Sequence, residues 1–183
     1  MSEEYILNQA TDQRNVVDQF KGMPEEQIIN ALDKDGIELE IAIENLERDF
    51  NMGTIVRSAN AFGVRHVHVI GRKQWNKRGA MATDKYLHVH YHQSVTDFQR
   101  AMHDRGRVII AVDNVERATN LHKTTLPKES VLVFGAEGPG LSRDLLDVAS
   151  SIVEIEQFGS TRSINVGVAA GVVMYTWLQK HNL

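Results

Sequence analysis

The sequence predicts an α/β fold, a largely parallel sheet with helices on both faces. Two observations carry the prediction. Short apolar or alternating runs, of strand length, take turns with longer helical stretches along most of the chain. Three polar clusters each follow an apolar run, as ligand-binding βα turns do at the carboxyl ends of parallel strands. A length of 183 residues suits one compact domain with a sizeable core.

The elements follow in order. Residues 3–20 and 24–34 read as two helices separated by Gly22-Met23-Pro24, with Pro24 suited to a first helical turn. Asp35-Gly36 then closes an acidic helical extension (1–36), and the main domain spans 37–183. Strands are expected at 37–43, 66–70, 108–112, 131–134 and 152–155, and helices at about 54–62, 95–104, 141–149 and 165–180. Along the last helix, apolar residues from Val166 to Leu178 cover most of the circumference, and Gly167 and Gly171 permit close backbone approach. A helix apolar all round must be buried, either within one subunit or partly against a second.

Bulk properties narrow the function classes. The chain has no cysteine, which excludes disulfides, thiolate zinc sites and cysteine nucleophiles. It starts with acids where a signal peptide needs bases, and no apolar run reaches membrane-spanning length, so a cytoplasmic protein is expected. The net charge of −4 is unevenly spread. Residues 1–50 hold 13 acids against 4 bases, whereas residues 51–183 hold 16 bases against 11 acids. Such asymmetry fits a basic binding face, and equally an acidic solvated extension beside an ordinary surface.

The clusters carry the chemistry. After the run 131–134 comes Gly135-Ala136-Glu137-Gly138-Pro139-Gly140, whose glycines let backbone groups approach a ligand with no Cβ between. No dinucleotide or P-loop glycine pattern is present, and Glu137 would repel a pyrophosphate. A hydroxyl-rich or positively charged ligand suits this turn better. Upstream lies Asn51-Met52-Gly53-Thr54-Ile55-Val56-Arg57, followed by Ala59 and Phe62-Gly63; downstream lies Ser163-Ile164-Asn165-Val166.

With these three motifs in this order, residues 37–183 resemble the SpoU (TrmH-like) family of RNA ribose 2′-O-methyltransferases, part of the SPOUT superfamily. The resemblance implies a C-terminal deep trefoil knot that holds S-adenosylmethionine, and a homodimer with active sites at the subunit interface. It implies tRNA or rRNA as substrate, and no metal. By position, Arg57 matches the family's catalytic arginine, Asn51 the asparagine supporting it, Glu137 the second-motif acid, and Ser163 and Asn165 the polar pair of the third motif. Gly135, Ile155 and Ile164 match cofactor contacts made largely through backbone, with Val112, Gly138, Gly140 and Leu141 completing the expected cofactor set. The chain departs from the pattern at Ile155-Glu156-Gln157-Phe158-Gly159, where the family often has Ile-Pro-Met-x-Gly. An unperturbed arginine stays protonated, so Arg57 is read as a bidentate clamp on the substrate phosphate, its role as a base left open. The reading from another class is a non-catalytic RNA-binding or regulatory module of the same fold.

Two further features stand outside the motifs. Arg72, Lys73, Lys77 and Arg78 surround Trp75 just beyond a strand, an arrangement suited to phosphate contacts and base stacking. His88, His90 and His92 alternate with Val89 and Tyr91, so an extended segment puts three imidazoles on one face, and His66 and His68 repeat the pattern. That spacing fits a half-exposed strand, phosphate contacts, or a metal-dependent enzyme sensitive to chelators.

Overall fold

The computed structural model describes residues 9–45, 51–136 and 138–183. Its strands are β1 (Glu40–Asn45), β2 (His66–Gly71), β3 (His88–His92), β4 (Val108–Val112), β5 (Thr119–Asn120), β6 (Ser130–Phe134) and β7 (Ser151–Glu154). They form one sheet in the order β3-β2-β1-β6-β4-β7-β5, and every pair is parallel. The helices are α1 (Glu25–Lys34), α2 (Asn51–Ala61), α3 (Val95–Asp104), α4 (Arg143–Val148) and α5 (Val166–His181).

Two hydrophobic clusters divide the helices between the faces. Ile41, Ile43, Val67, Val69, Leu132 and Phe134 pack with α2 (Met52, Ile55, Val56, Ala59) and α5 (Ala170, Val173, Met174, Trp177). On the other face Ala42, Ala111, Val131 and Val133 pack with Phe98 and Met102 of α3 and Leu145 of α4. The Trp177 indole is fully buried and satisfies its N–H on the Pro127 carbonyl at 2.9 Å.

The central strand carries three polar residues. All six positions of β1 are buried, yet Glu40, Glu44 and Asn45 are among them. The expected strand at 37–43 is therefore displaced toward the C-terminus, because tertiary partners satisfy these groups. Glu44 accepts from the backbone N–H and hydroxyl of Ser142 at 2.7 and 2.5 Å. Asn45 Nδ2 donates to the Arg72 and Gln74 carbonyls at 2.6 and 3.1 Å. Glu40 binds His68, Arg105 and Arg107 at 2.6–2.8 Å.

The N-terminal segment corrects one expectation. Residues 9–11 are helical, but 12–17 are not, so a single helix over 3–20 does not form. The Asp12 carboxylate accepts from the backbone N–H of Arg14 and of Gly22, both at 2.9 Å, and from the Arg14 guanidinium. Such local side-chain bonds compete with helical ones and end the helix. The second predicted helix forms as α1, following Pro24. It is docked on the sheet edge, where Asp33 accepts from Arg65 Nε at 2.7 Å and lies 3.0 Å from His88 Nε2.

Candidate functional site

At the carboxyl ends of β4, β6 and β7 a cleft of about 430 Å³ opens beside the start of α5. That size is within the usual range for small-molecule sites. Three separate segments build it.

The first is the glycine turn after β6. A Cβ on Gly135 would lie 2.4 Å from the Gly140 carbonyl carbon, so only glycine permits this closure. Ala136 and Gly140 form an antiparallel bridge, and Gly138 and Gly140 have φ of 105° and 70°, which favours glycine. Asp113, just past β4, fixes the far side of the turn by accepting from Leu141 N–H at 2.8 Å. Ser142 then caps α4 by accepting from Leu145 N–H, while its own donors go to the buried Glu44.

The second segment follows β7 and runs from Ile155 to Ile164. Asn114 Nδ2 donates to the Arg162 carbonyl at 2.7 Å and so ties it to the end of β4. Gln157 lines the cleft, and its Oε1 is shielded from solvent without a donor among the described residues. Glu156 forms an ion pair with His122. The third segment is the start of α5, capped by Asn165 Oδ1, which accepts from Gly167 and Val168 N–H at 2.9 and 3.3 Å. Asn165 Nδ2 donates to Asn51 Oδ1 at 2.8 Å, joining the first and third motifs.

Most expected positions thus come together. Val112, Gly135, Gly138, Gly140 and Leu141 line the cleft. So do Ile155, Ser163 and Ile164. Asn51 and Asn165 meet at its edge through their mutual hydrogen bond. Arg57 is exposed on α2 and is not among the residues that line the cleft. Glu137 lies outside the described residues. Sequence reasoning missed Asp113, Asn114 and Gln157. The rule that strand ends carry ligand groups points to the first two, since they directly follow the strand ending at Val112.

Beyond β2, Arg72, Lys73, Lys77 and Arg78 are exposed, and Lys77 pairs with Asp84 at 2.7 Å. Trp75 is not the open stacking platform expected. It is partly buried against the core, and its indole N–H is shielded without an acceptor among the described residues. The exposed bases pass over it and over the neighbouring strand instead. Lys77 lies 5.5 Å from the Trp75 ring and Lys73 5.7 Å from the Tyr91 ring. Asn45 holds this loop down by its two carbonyl contacts, and a large apolar ring gains more from the core than from water.

The histidines form a ladder across β2 and β3. His66 Nδ1 lies 3.0 Å from His90 Nε2, His68 Nδ1 lies 2.9 Å from His92 Nε2, and His68 Nε2 lies 2.7 Å from Glu40. Among the described residues, no three His, Asp or Glu side chains converge as metal ligands. Burial, with smaller contributions from neighbouring charges, lowers the pKa of both His66 and His90 to about 4. Both are therefore neutral near pH 7, which disfavours phosphate contacts by these two rings.

The SpoU rRNA Methylase family profile matches residues 38–175. The tRNA (guanosine(18)-2′-O)-methyltransferase of Thermus thermophilus is 27% identical over 142 residues, 75% of this chain and 73% of that protein. The solved A. aeolicus TrmH/SpoU tRNA modifying enzyme superposes with a TM-score of 0.74 at 24% identity, covering 85% of this chain and 81% of its own. An AdoMet-bound rRNA methyltransferase from Sinorhizobium meliloti gives 0.70 at 22% identity, over 79% of this chain and 57% of that one.

Proposed function

The chain belongs to the SpoU rRNA methylase family, and from that premise we propose that it transfers a methyl group from S-adenosylmethionine to a ribose 2′-hydroxyl of tRNA or rRNA. The observation that carries the reading is the convergence of Val112, Gly135, Leu141, Ile155, Ser163 and Ile164 on one cleft, far apart as they are in sequence. The residues fit the cofactor. The walls are apolar enough for a purine, and the glycine turn offers backbone groups.

When bound, S-adenosylmethionine supplies a methyl group on a positively charged sulfur. The protein's part is to hold the ribose hydroxyl in line and to stabilise its oxygen as the proton leaves. Asn51 and Asn165 orient each other across α2 and α5, which sets the polar groups at the start of α5. Ser163 and Glu137 add polar atoms from the third and second motifs. Arg57 clamps the phosphate next to the target ribose through its planar guanidinium.

In this reading the protein works in the cytoplasm as a homodimer, and its C-terminal part forms the family's trefoil knot. Residues 1–36 are an appended extension and 37–183 the catalytic domain. The dimer draws support from α5, where Val168, Val172 and Tyr175 share one face and are 58%, 41% and 47% exposed. A second subunit covers that face and brings its own Arg57 to the cleft. The exposed bases Arg72, Lys73, Lys77 and Arg78 contribute phosphate contacts to RNA beside Trp75. Retention of Asn51, Arg57, Glu137, Ser163 and Asn165 speaks against a non-catalytic RNA-binding module.

The test is transfer of tritiated methyl groups from S-adenosylmethionine to total tRNA and rRNA. The wild type is expected to label RNA. Arg57→Ala is expected to lose transfer by about 100-fold or more, with cofactor binding within about threefold. Near-normal turnover by the variant removes Arg57 from its role, and no labelling by the wild type removes the enzymatic reading.

A further inference from the structure

The segment between β7 and α5 carries an aromatic ring with nothing to pack on. Phe158 is 96% exposed, more than any other large apolar side chain among the described residues. A buried phenylalanine stabilises a fold, but a ring left in water on both faces contributes nothing of that kind. A Cβ on the adjoining Gly159 would meet no atom within 4 Å, so the chain stands clear of the body here.

The segment is nevertheless fixed on both sides of the ring. Glu156 forms an ion pair with His122, and the Arg162 carbonyl accepts from Asn114 Nδ2 at 2.7 Å. Gln157 before the ring, and Arg162 and Ser163 after it, line the cleft. Consecutive Cα atoms are about 3.8 Å apart, which puts Phe158 at the rim of the cleft. The ring is no part of the cleft lining itself, so it does not serve a ligand seated inside.

The neighbours of the ring select its partner. Residues 159–163 are Gly, Ser, Thr, Arg and Ser, all exposed, with no acid and no second large apolar side chain. A protein partner seats on a core of adjoining apolar side chains, which this run does not offer. One open ring followed by an exposed guanidinium suits a partner of flat apolar faces strung on anionic links, that is, single-stranded nucleic acid. Trp75, the aromatic expected to stack, is packed against the core, whereas Phe158 presents its ring to solvent.

We propose that Phe158 is the platform on which an unpaired base of the RNA substrate stacks at the mouth of the cleft, with Arg162 contacting a neighbouring phosphate. The proposal rests on the reading of the chain as an RNA methyltransferase and deepens it, by naming the residue that holds a nucleotide beside the target ribose. Phe158 occupies the position marked x in Ile-Pro-Met-x-Gly, which the resembled pattern leaves unspecified. A side chain there serves this chain's own RNA and leaves the shared cofactor chemistry untouched.

The experiment is filter binding of labelled total tRNA and total rRNA to the full chain, with calorimetry of S-adenosylhomocysteine binding and sedimentation velocity on the same proteins. Phe158→Ala is expected to weaken RNA binding about tenfold, the usual effect of losing one stacked base, with an unchanged dependence on salt. Its S-adenosylhomocysteine affinity and sedimentation should match the wild type, which also shows that it folds. Phe158→Trp should keep the wild-type RNA affinity, and Phe158→Leu, apolar but without a ring face, should bind as weakly as Phe158→Ala. Arg162→Gln should flatten the salt dependence. Wild-type RNA affinity in Phe158→Ala, or full affinity in Phe158→Leu, overturns the proposal. So does altered sedimentation of Phe158→Ala, which would assign the ring to contact with a second copy of the chain. If the wild type binds RNA through Phe158 but transfers no tritiated methyl group to it, the stacking stands and the methyltransferase reading falls. If the wild type binds no RNA, both fall.

Discussion

The histidine ladder gives the fold a specific weakness to acid. His66 and His90 lie 3.0 Å apart, ring nitrogen to ring nitrogen, on neighbouring strands. Burial lowers both pKa values from 6.5 to about 4. For His66 the nearby Arg105, His88 and His68 add to the lowering, for His90 it is His68, His66 and Arg105, and in both Glu40 opposes it. The unfolded chain therefore takes up these protons first as pH falls. Their contribution to stability is complete above about pH 7 and is lost between 6.5 and 4, at about 1.4 kcal/mol per pH unit for each histidine. From pH 7 to pH 5 this integrates to about 2 kcal/mol per histidine, and partial solvent screening reduces it to about 1 kcal/mol. His92, lowered by burial and then by His68, acts in the same direction. Glu40 does not interfere. Burial alone would raise it, but hydrogen bonds from His68 and Arg105 hold its carboxyl far below the usual carboxylate range, so it stays charged throughout this window. The assay is urea unfolding at pH 7 and pH 5 of the wild type and of the double variant His66→Gln/His90→Gln. The wild type should lose roughly 2 kcal/mol more than the variant between the two pH values. An equal loss in both proteins would refute the assignment of the acid weakness to this pair.

Two other perturbations test the site and the assembly. Gly135→Ala places a Cβ 2.4 Å from the Gly140 carbonyl carbon, so the turn must open; S-adenosylhomocysteine binding should weaken at least tenfold and stability should fall by about 1–3 kcal/mol, read by calorimetry and thermal melting. Wild-type affinity in that variant would show that the turn closure does not shape the cleft. Val172→Asp puts a charge on the exposed apolar face of α5, and sedimentation velocity should report a dimer for the wild type and a monomer for the variant. A monomeric wild type, or a variant that still dimerises, counts against that face as the interface.

The fold was legible where local signals agree. The strand 108–112 and the helix 95–104 appear at their expected bounds as β4 and α3. The first is a continuous apolar run, and the second begins with Ser94, whose hydroxyl accepts from Asp97 N–H at 3.1 Å. Failures came where a polar side chain has a distant partner. Nothing near Glu44 and Asn45 marks them as strand, because the groups that make their burial tolerable, Ser142 and the 72–74 loop, come much later in the chain. Asp12 ends a helix through a bond to Arg14 and another to Gly22, which helical propensity does not register. The two-residue β5 has no apolar alternation to read at all.

The same division runs through the site. Glycines with positive φ and capping residues such as Asn165 announce themselves, because the backbone conformation they permit or complete is local. The residues that hold those turns in place do not. Asp113 meets Leu141 across 28 positions and Asn114 meets Arg162 across 48, so each pair exists only once the strands are side by side. Trp75 is the converse case, an aromatic among bases whose local context suggests a stacking platform while the core takes the ring.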